Sequence, residues 1–138
     1  MAYEWITKYD SPNYGYPRGK TGQNKPVEIV IHHWGIDGQS FDNVCSWLCR
    51  EKAASGAHLV VENGRAACLI SYENAAWGAG DYVHNCKSIQ IECRPECTAG
   101  DIATLEEVIA DIYDTYGILP LIGHKDVVPT DCPGRYYE

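Results

Sequence analysis

At 138 residues the chain has room for one domain with a hydrophobic core and not for two. Hydrophobic residues make up 45% and charged residues 22%, an ordinary globular balance, and no apolar run approaches the length that spans a bilayer. The net charge of −8 speaks against nucleic acid as a partner, because phosphate binding needs clustered lysine and arginine.

In chain order, residues 1–26 are rich in Gly, Pro, Asn and Tyr and read as an extended lead-in with turns. The first ten residues carry Glu4, Lys8 and Asp10 and no apolar h-region, so no signal peptide is read and a reducing compartment is expected. Val27 to His32 is a β-branched apolar run and predicts a buried strand. Ser40 is a fair N-cap for a helix over Phe41 to Lys52, with Phe41, Val44, Cys45 and Leu48 on one face. Ala57 to Glu62 and Arg65 to Ser71 flank Asn63-Gly64, a strong hairpin signal. The glycine-rich stretch from Asn74 to Asn85 reads as a loop, and Ser88 to Cys93 as a strand. Asp101 to Tyr116 is the clearest helix, with Ile102, Leu105, Ile109, Ile112 and Tyr113 as its apolar stripe and Gly117 as its end. Leu119 to Ile122 predicts a short strand. Strands alternating with helices predict a single α/β domain: a central mixed sheet with one hairpin, flanked by helices.

The seven cysteines are many for this length. With Cys132 set aside, Cys45, Cys49, Cys68, Cys86, Cys93 and Cys97 remain. Free thiols are the expectation, with disulfides or a second metal as alternatives.

Three residues carry the chemistry. His32 ends the first buried strand, and His124 and Cys132 lie eight apart after the last one. Imidazole and thiolate are natural zinc ligands, and three of them leave one position open. By spacing alone, however, such residues are more often packed side chains.

The segments IVIHHW, AHLVVENGR, SIQIE and GHKDVVPTDCPG, in this order, resemble the zinc amidases of bacteriophage lysins and bacterial autolysins. Peptidoglycan recognition proteins look like more distant relatives. The resemblance covers roughly Val27 to Gly134 and implies their fold, with peptidoglycan as substrate. It also implies hydrolysis of the amide between N-acetylmuramic acid and L-alanine, by one catalytic zinc on His32, His124 and Cys132. It makes Glu92 the general base, where the bland reading is a solvated strand-end carboxylate. Thr130 would help hold the oxyanion, or would simply shape its turn.

Asp126 is the candidate outer partner of a ligating histidine. Pro133 at a first helical position would put Cys132 at a helix N-terminus, which favours a thiolate. Trp34, Trp77 and His84 are candidate groove residues, since sugar–peptide substrates bind in clefts with aromatic walls. His33 and His58 read as rim or structural residues. Two departures stand out: Ala57 replaces a Tyr or Ser, and Gly78 stands where relatives often have His, with His84-Asn85 as a possible substitute.

On this reading the protein is made in the cytoplasm of a bacterial host and acts on the cell wall. It would work as a monomeric catalytic domain at residues 1–138, truncated before a C-terminal wall-binding module. Two rivals differ in class: a non-catalytic peptidoglycan receptor of the same fold, and a cysteine hydrolase with Cys132 as nucleophile and His124 as base. A purely structural zinc site would need a fourth protein ligand, and none is adjacent.

Overall fold

The computed structural model describes residues 3–15 and 25–137. Its centre is a six-stranded mixed sheet of β1 (Glu4–Ile6), β3 (Glu28–His33), β4 (Leu59–Glu62), β5 (Arg65–Cys68), β7 (Ser88–Cys93) and β8 (Leu121–Gly123), in the order β1-β5-β4-β7-β3-β8. The β4–β5 pair is the antiparallel hairpin around Asn63-Gly64, and every other pairing in this sheet is parallel. A small antiparallel pair, β2 (Tyr14–Gly15) with β6 (Ala75–Ala76), lies apart from it.

Helix α3 (Ala99–Tyr116) covers one face and α1 (Phe41–Leu48) the other. Ile29 and Ile31, Leu59 and Val61, and Ile89, Ile91 and Cys93 all pack toward Leu105, Val108 and Ile112 of α3. On the opposite face Val60 and Ala67 meet Phe41, Val44, Cys45 and Leu48. Both faces of the central strands are therefore buried, which explains why β3 reads as a continuous apolar run.

Side chains alternate along a strand, so with Ile29, Ile31, Ile89 and Ile91 on the α3 face, the remaining positions fall on the other. Those positions are Glu28, Val30 and His32 on β3, opposite Ser88, Gln90 and Glu92 on β7. One face of two adjacent parallel strands thus carries a polar row inside the molecule, and His32 and Glu92 pair at its end.

Several boundaries differ from the sequence reading. The lead-in contributes β1, a parallel edge strand too short to show alternation, while residues 16–24 of the predicted segment lie outside the described residues. Helix α1 stops at Leu48, and a 3-10 turn follows at Glu51–Ala53. The Asn13 side chain, 1% exposed, explains this stop, because its amide donates to the carbonyls of Leu48, Arg50 and Ser55 at 3.1, 2.9 and 2.9 Å. Those bonds satisfy carbonyls that a further helical turn would use.

The predicted loop before Ser88 contains a short helix α2 (Tyr82–Lys87), capped by the Asp81 carboxylate on the His84 N–H at 3.0 Å. Helix α3 starts earlier than predicted, at a capping box of Thr98 and Asp101. Asp101 also accepts from the Asn63 N–H at 2.8 Å, so the start of α3 is tied to the hairpin turn. Ile102, predicted in its apolar stripe, is 41% exposed, and Val108 takes the buried place.

All seven cysteines are free thiols. Among the described residues no helix is long and apolar enough to cross a membrane.

Candidate functional site

The polar row ends in a cleft of about 900 Å³, lined among others by His32, His33, Trp34, Glu92, His124, Thr130 and Cys132. His32 is 2% exposed, and burial, with some help from the neighbouring His124 and His33, lowers its pKa to about 3. It is therefore a neutral imidazole, with one ring nitrogen protonated and one carrying a lone pair. Its Nε2 donates to Gln90 Oε1 at 2.6 Å, which turns Nδ1 toward Cys132 Sγ at 3.7 Å.

His124 sits on the 3-10 turn that follows β8, its ring centroid 4.5 Å from that of His32. Burial lowers its pKa as well, and Nε2 donates to the Ala79 carbonyl at 2.9 Å, leaving Nδ1 as its lone-pair atom. Cys132 Sγ accepts from the His33 N–H at 3.3 Å. One donor atom from each of His32, His124 and Cys132 lies within 4.8 Å of the other two. Two neutral imidazoles and a sulfur converging beside an open cleft fit a metal that keeps one position for a reactant. The donor types suit zinc well.

Glu92 lines the same cleft, with Oε1 sealed from solvent and without a hydrogen-bond partner. Burial pushes its pKa up to about 8. Thr130 is exposed at the mouth, and its Oγ1 accepts from the Cys132 N–H at 3.3 Å, so the hydroxyl proton is left to point elsewhere. Trp34 forms part of the wall and packs edge-on to Phe41, with a ring-centroid separation of 6.5 Å.

Other sequence candidates are placed elsewhere. Asp126 does not touch the His124 ring; its carboxylate accepts from the Gly123 N–H at 2.9 Å and from the Tyr137 hydroxyl, so it braces its own turn. His84 bonds Glu28 through Nδ1 at 2.6 Å, and Ser88 shares that carboxylate. Glu28 opens β3, four residues and roughly 13 Å from His32, so His84 lies at the wrong end of the strand for the cleft.

Trp77 is 45% exposed and is neither core nor cleft lining; its backbone is held by Asn13 and Gly56. Pro133 follows Cys132 through a cis peptide and leads only into a 3-10 turn, Gly134–Tyr136. Cys132 thus has no α-helix start behind it, and burial together with the Glu92 carboxylate pushes its thiol up to about 12. His124 Nε2 is engaged with the Ala79 carbonyl at 2.9 Å, and among the described residues His124 makes no hydrogen bond to this sulfur.

His58 is structural: fully buried, it bridges the Asn74 carbonyl and the Gln90 N–H. His33 is half-buried at the rim, and its Nδ1 accepts from the Gly35 N–H. At Gly78 a Cβ would meet the Gly56 carbonyl oxygen at 2.4 Å, so no side chain fits there. Asn85 acts on that loop indirectly, its Oδ1 accepting from the Ala79 N–H at 2.8 Å beside the carbonyl that orients His124.

Sequence reasoning missed Gln90, although strand alternation in SIQIE puts it on the Glu92 face. It also missed the Ala79 carbonyl, which has no side-chain signal, and Trp47, which the solvent-facing side of α1 presents to the cleft.

Several solved structures share this fold. A mutant endolysin from Bacillus subtilis gives a TM-score of 0.80 at 22% identity, covering 95% of this chain and 90% of that one. The catalytic domain of XlyA gives 0.77 at 21%, covering 94% and 90%. The N-acetylmuramoyl-L-alanine amidase LysC from Clostridium intestinale URNW gives 0.70 at 20%, covering 97% and 91%. Among curated sequences, Protein Ami of Listeria monocytogenes serotype 1/2a (strain EGD / Mackaness) is 28% identical over 85 residues, 62% of this chain. The matched region is 9% of that protein's length. The sequence profile described as N-acetylmuramoyl-L-alanine amidase matches residues 22–135, nearly the whole chain, and the chain belongs to that family.

Proposed function

We propose that this chain is a zinc-dependent N-acetylmuramoyl-L-alanine amidase, hydrolysing the amide between the lactyl group of N-acetylmuramic acid and the L-alanine of the stem peptide. The observation that carries this reading is the convergence of His32, His124 and Cys132 at a cleft that also holds the unpartnered Glu92 oxygen. Zinc, when bound, would supply Lewis-acid polarisation of a carbonyl and acidification of a water.

The protein's own groups do the rest. Gln90 and the Ala79 carbonyl hold the two imidazoles as neutral tautomers with their lone pairs inward. Glu92 takes a proton from the attacking water and delivers it to the amide nitrogen of the leaving peptide. A carboxylate beside a cation ionises more readily, so the base form is favoured in the loaded site. The Thr130 hydroxyl donates to the oxygen of the scissile carbonyl as it gains charge. Trp34 supplies an apolar wall for the sugar–peptide chain.

Wall targeting by a separate module is part of the proposal. Many bacterial walls are polyanionic, and a chain of net charge −8 is repelled by them.

The test is zinc content of the purified protein together with release of L-alanine N-termini from peptidoglycan, with and without chelator. One zinc per chain and chelator-sensitive release are expected. Activity without zinc, lost only to a thiol reagent, would move the nucleophile to Cys132. Zinc with no release would leave a peptidoglycan receptor.

A further inference from the structure

A second hollow, of about 320 Å³, lies between α3 and the start of the chain and shares no lining residue with the cleft. Tyr3 and Trp5 are two residues apart where β1 begins, so their side chains fall on one face of it. Their rings meet at 61° with centroids 6.5 Å apart, as two walls of a corner. Tyr72, in the turn after β5, adds a third aromatic wall, and Val108 and Ile112 of α3 supply buried aliphatic surface.

Two of the walls are fixed from behind. Tyr72 packs edge-on against His58 and Tyr116, with ring centroids 6.0 and 6.1 Å away. The Tyr3 hydroxyl donates to Asp111 Oδ2, a contact that spans 108 residues of chain. Burial, then that carboxylate and Glu107, raise the pKa of Tyr3, so it stays a neutral donor. Trp5, by contrast, remains 39% exposed beside this rigid corner.

These groups favour a positive guest. Aromatic faces are electron-rich, Asp111 lines the hollow, and Glu107 lies one helical turn before it. The aliphatic surface discriminates among cations. An ammonium with N–H groups would turn some of them toward Val108 and Ile112, where they lose water and gain no acceptor; methyl groups bury there favourably. An anionic group attached to the cation would meet Asp111 and Glu107 and be repelled.

We propose that this hollow binds a methylated organic ammonium ion that carries no anionic group beside its charge. It is a ligand site separate from the cleft, and it stands or falls independently of the amidase reading.

The experiment titrates the zinc-loaded chain with tetramethylammonium chloride at constant ionic strength and follows the indole N–H signals of the four tryptophans by NMR. A saturable shift of the Trp5 signal is expected, with a dissociation constant of about 1 mM for so small a ligand. Neutral tert-butanol, of similar size, should bind at least about tenfold more weakly, and phosphocholine should also bind more weakly than tetramethylammonium. Trp5→Leu keeps an apolar side chain and removes the ring; it should weaken binding about three- to thirtyfold by calorimetry. Asp111→Asn keeps an acceptor for the Tyr3 hydroxyl and removes the charge, with a loss of about tenfold. Asp111 is exposed, so this variant keeps the test decisive if Trp5→Leu fails to fold. Equal affinity for tert-butanol would overturn the proposal, since the hollow would then be merely apolar. Tighter binding of phosphocholine would overturn it too, as would shifts confined to Trp34 and Trp47, which line the cleft.

Discussion

Replacing Glu92 with glutamine should make the metal-stripped protein more stable and the zinc-loaded protein inactive. The carboxyl is buried, its Oε1 has no partner, and its pKa rises from an ordinary 4.5 to about 8 on folding. The folded state therefore holds this proton more tightly than the unfolded chain does. Stability falls as pH rises from about 4.5 through 8, and the loss is complete above the folded pKa. At 1.36 kcal/mol per unit, the gap of about three units still open at pH 8 is a penalty of about 4 kcal/mol. Glutamine keeps the shape and drops the charge, so the variant escapes that penalty.

The assay is thermal unfolding of chelator-treated native and Glu92→Gln protein at pH 5 and pH 8.5. The two should melt within a few degrees of each other at pH 5, where only about 1 kcal/mol of the penalty is present, and the variant should melt about 10 °C or more higher at pH 8.5, since about 1 kcal/mol moves the midpoint by roughly 2–8 °C. Restoring zinc should leave the variant about 10²–10⁴-fold less active, the usual worth of a general base. A variant that melts lower at pH 8.5, or a native protein with a flat profile between the two pH values, would refute the reasoning. Either result would mean that the carboxylate is well solvated or paired in the fold.

Three further outcomes follow from the same contacts. Gln90→Leu should weaken zinc binding about 10–100-fold, read by competition with a chromophoric chelator, because His32 loses the acceptor that fixes its ring. Asn13→Ala should cost about 1–3 kcal/mol in urea unfolding, because the carbonyls of Leu48, Arg50 and Ser55 lose a buried donor. His84→Ala should cost about 1 kcal/mol of stability through its lost bond to Glu28, while kcat/KM on muropeptide stays within about twofold. A large fall in kcat/KM at unchanged stability would return His84 to the groove.

The parts of the molecule legible in the sequence are those where a local pattern and the tertiary environment agree. The run ending in His32, the Asn63-Gly64 hairpin and the alternation of SIQIE all emerge where expected, because sheet periodicity and burial demand the same residues. The donor trio comes together although its members are 92 and 8 residues apart, and there the resemblance to a family had to bridge what spacing could not. Outer contacts differ from the sequence expectation for a physical reason. Asp126 is two residues from His124 and Gln90 is far from His32 in sequence, yet orientation depends on which group faces the ring in space. Proximity along the chain points to Trp77 as a groove residue, yet its neighbour Gly78 lines the cleft while Trp77 itself does not. Strand β1 and helix α2 are too short to show a period, and each depends on partners distant in sequence or on a single cap.

The polar row shared by β3 and β7 also bears on how the chain avoids misfolding. Two parallel strands of isoleucine and valine could slide past each other at little cost if both faces were equally greasy. A slip of β7 by one residue would turn Gln90 and Glu92 toward Leu105, Val108 and Ile112, and send Ile89 and Ile91 to face His32. Burying a carboxyl and an amide among aliphatic side chains costs several kcal/mol, enough to empty that alternative. The side chains placed for chemistry therefore also act as the index marks that keep the two central strands in step.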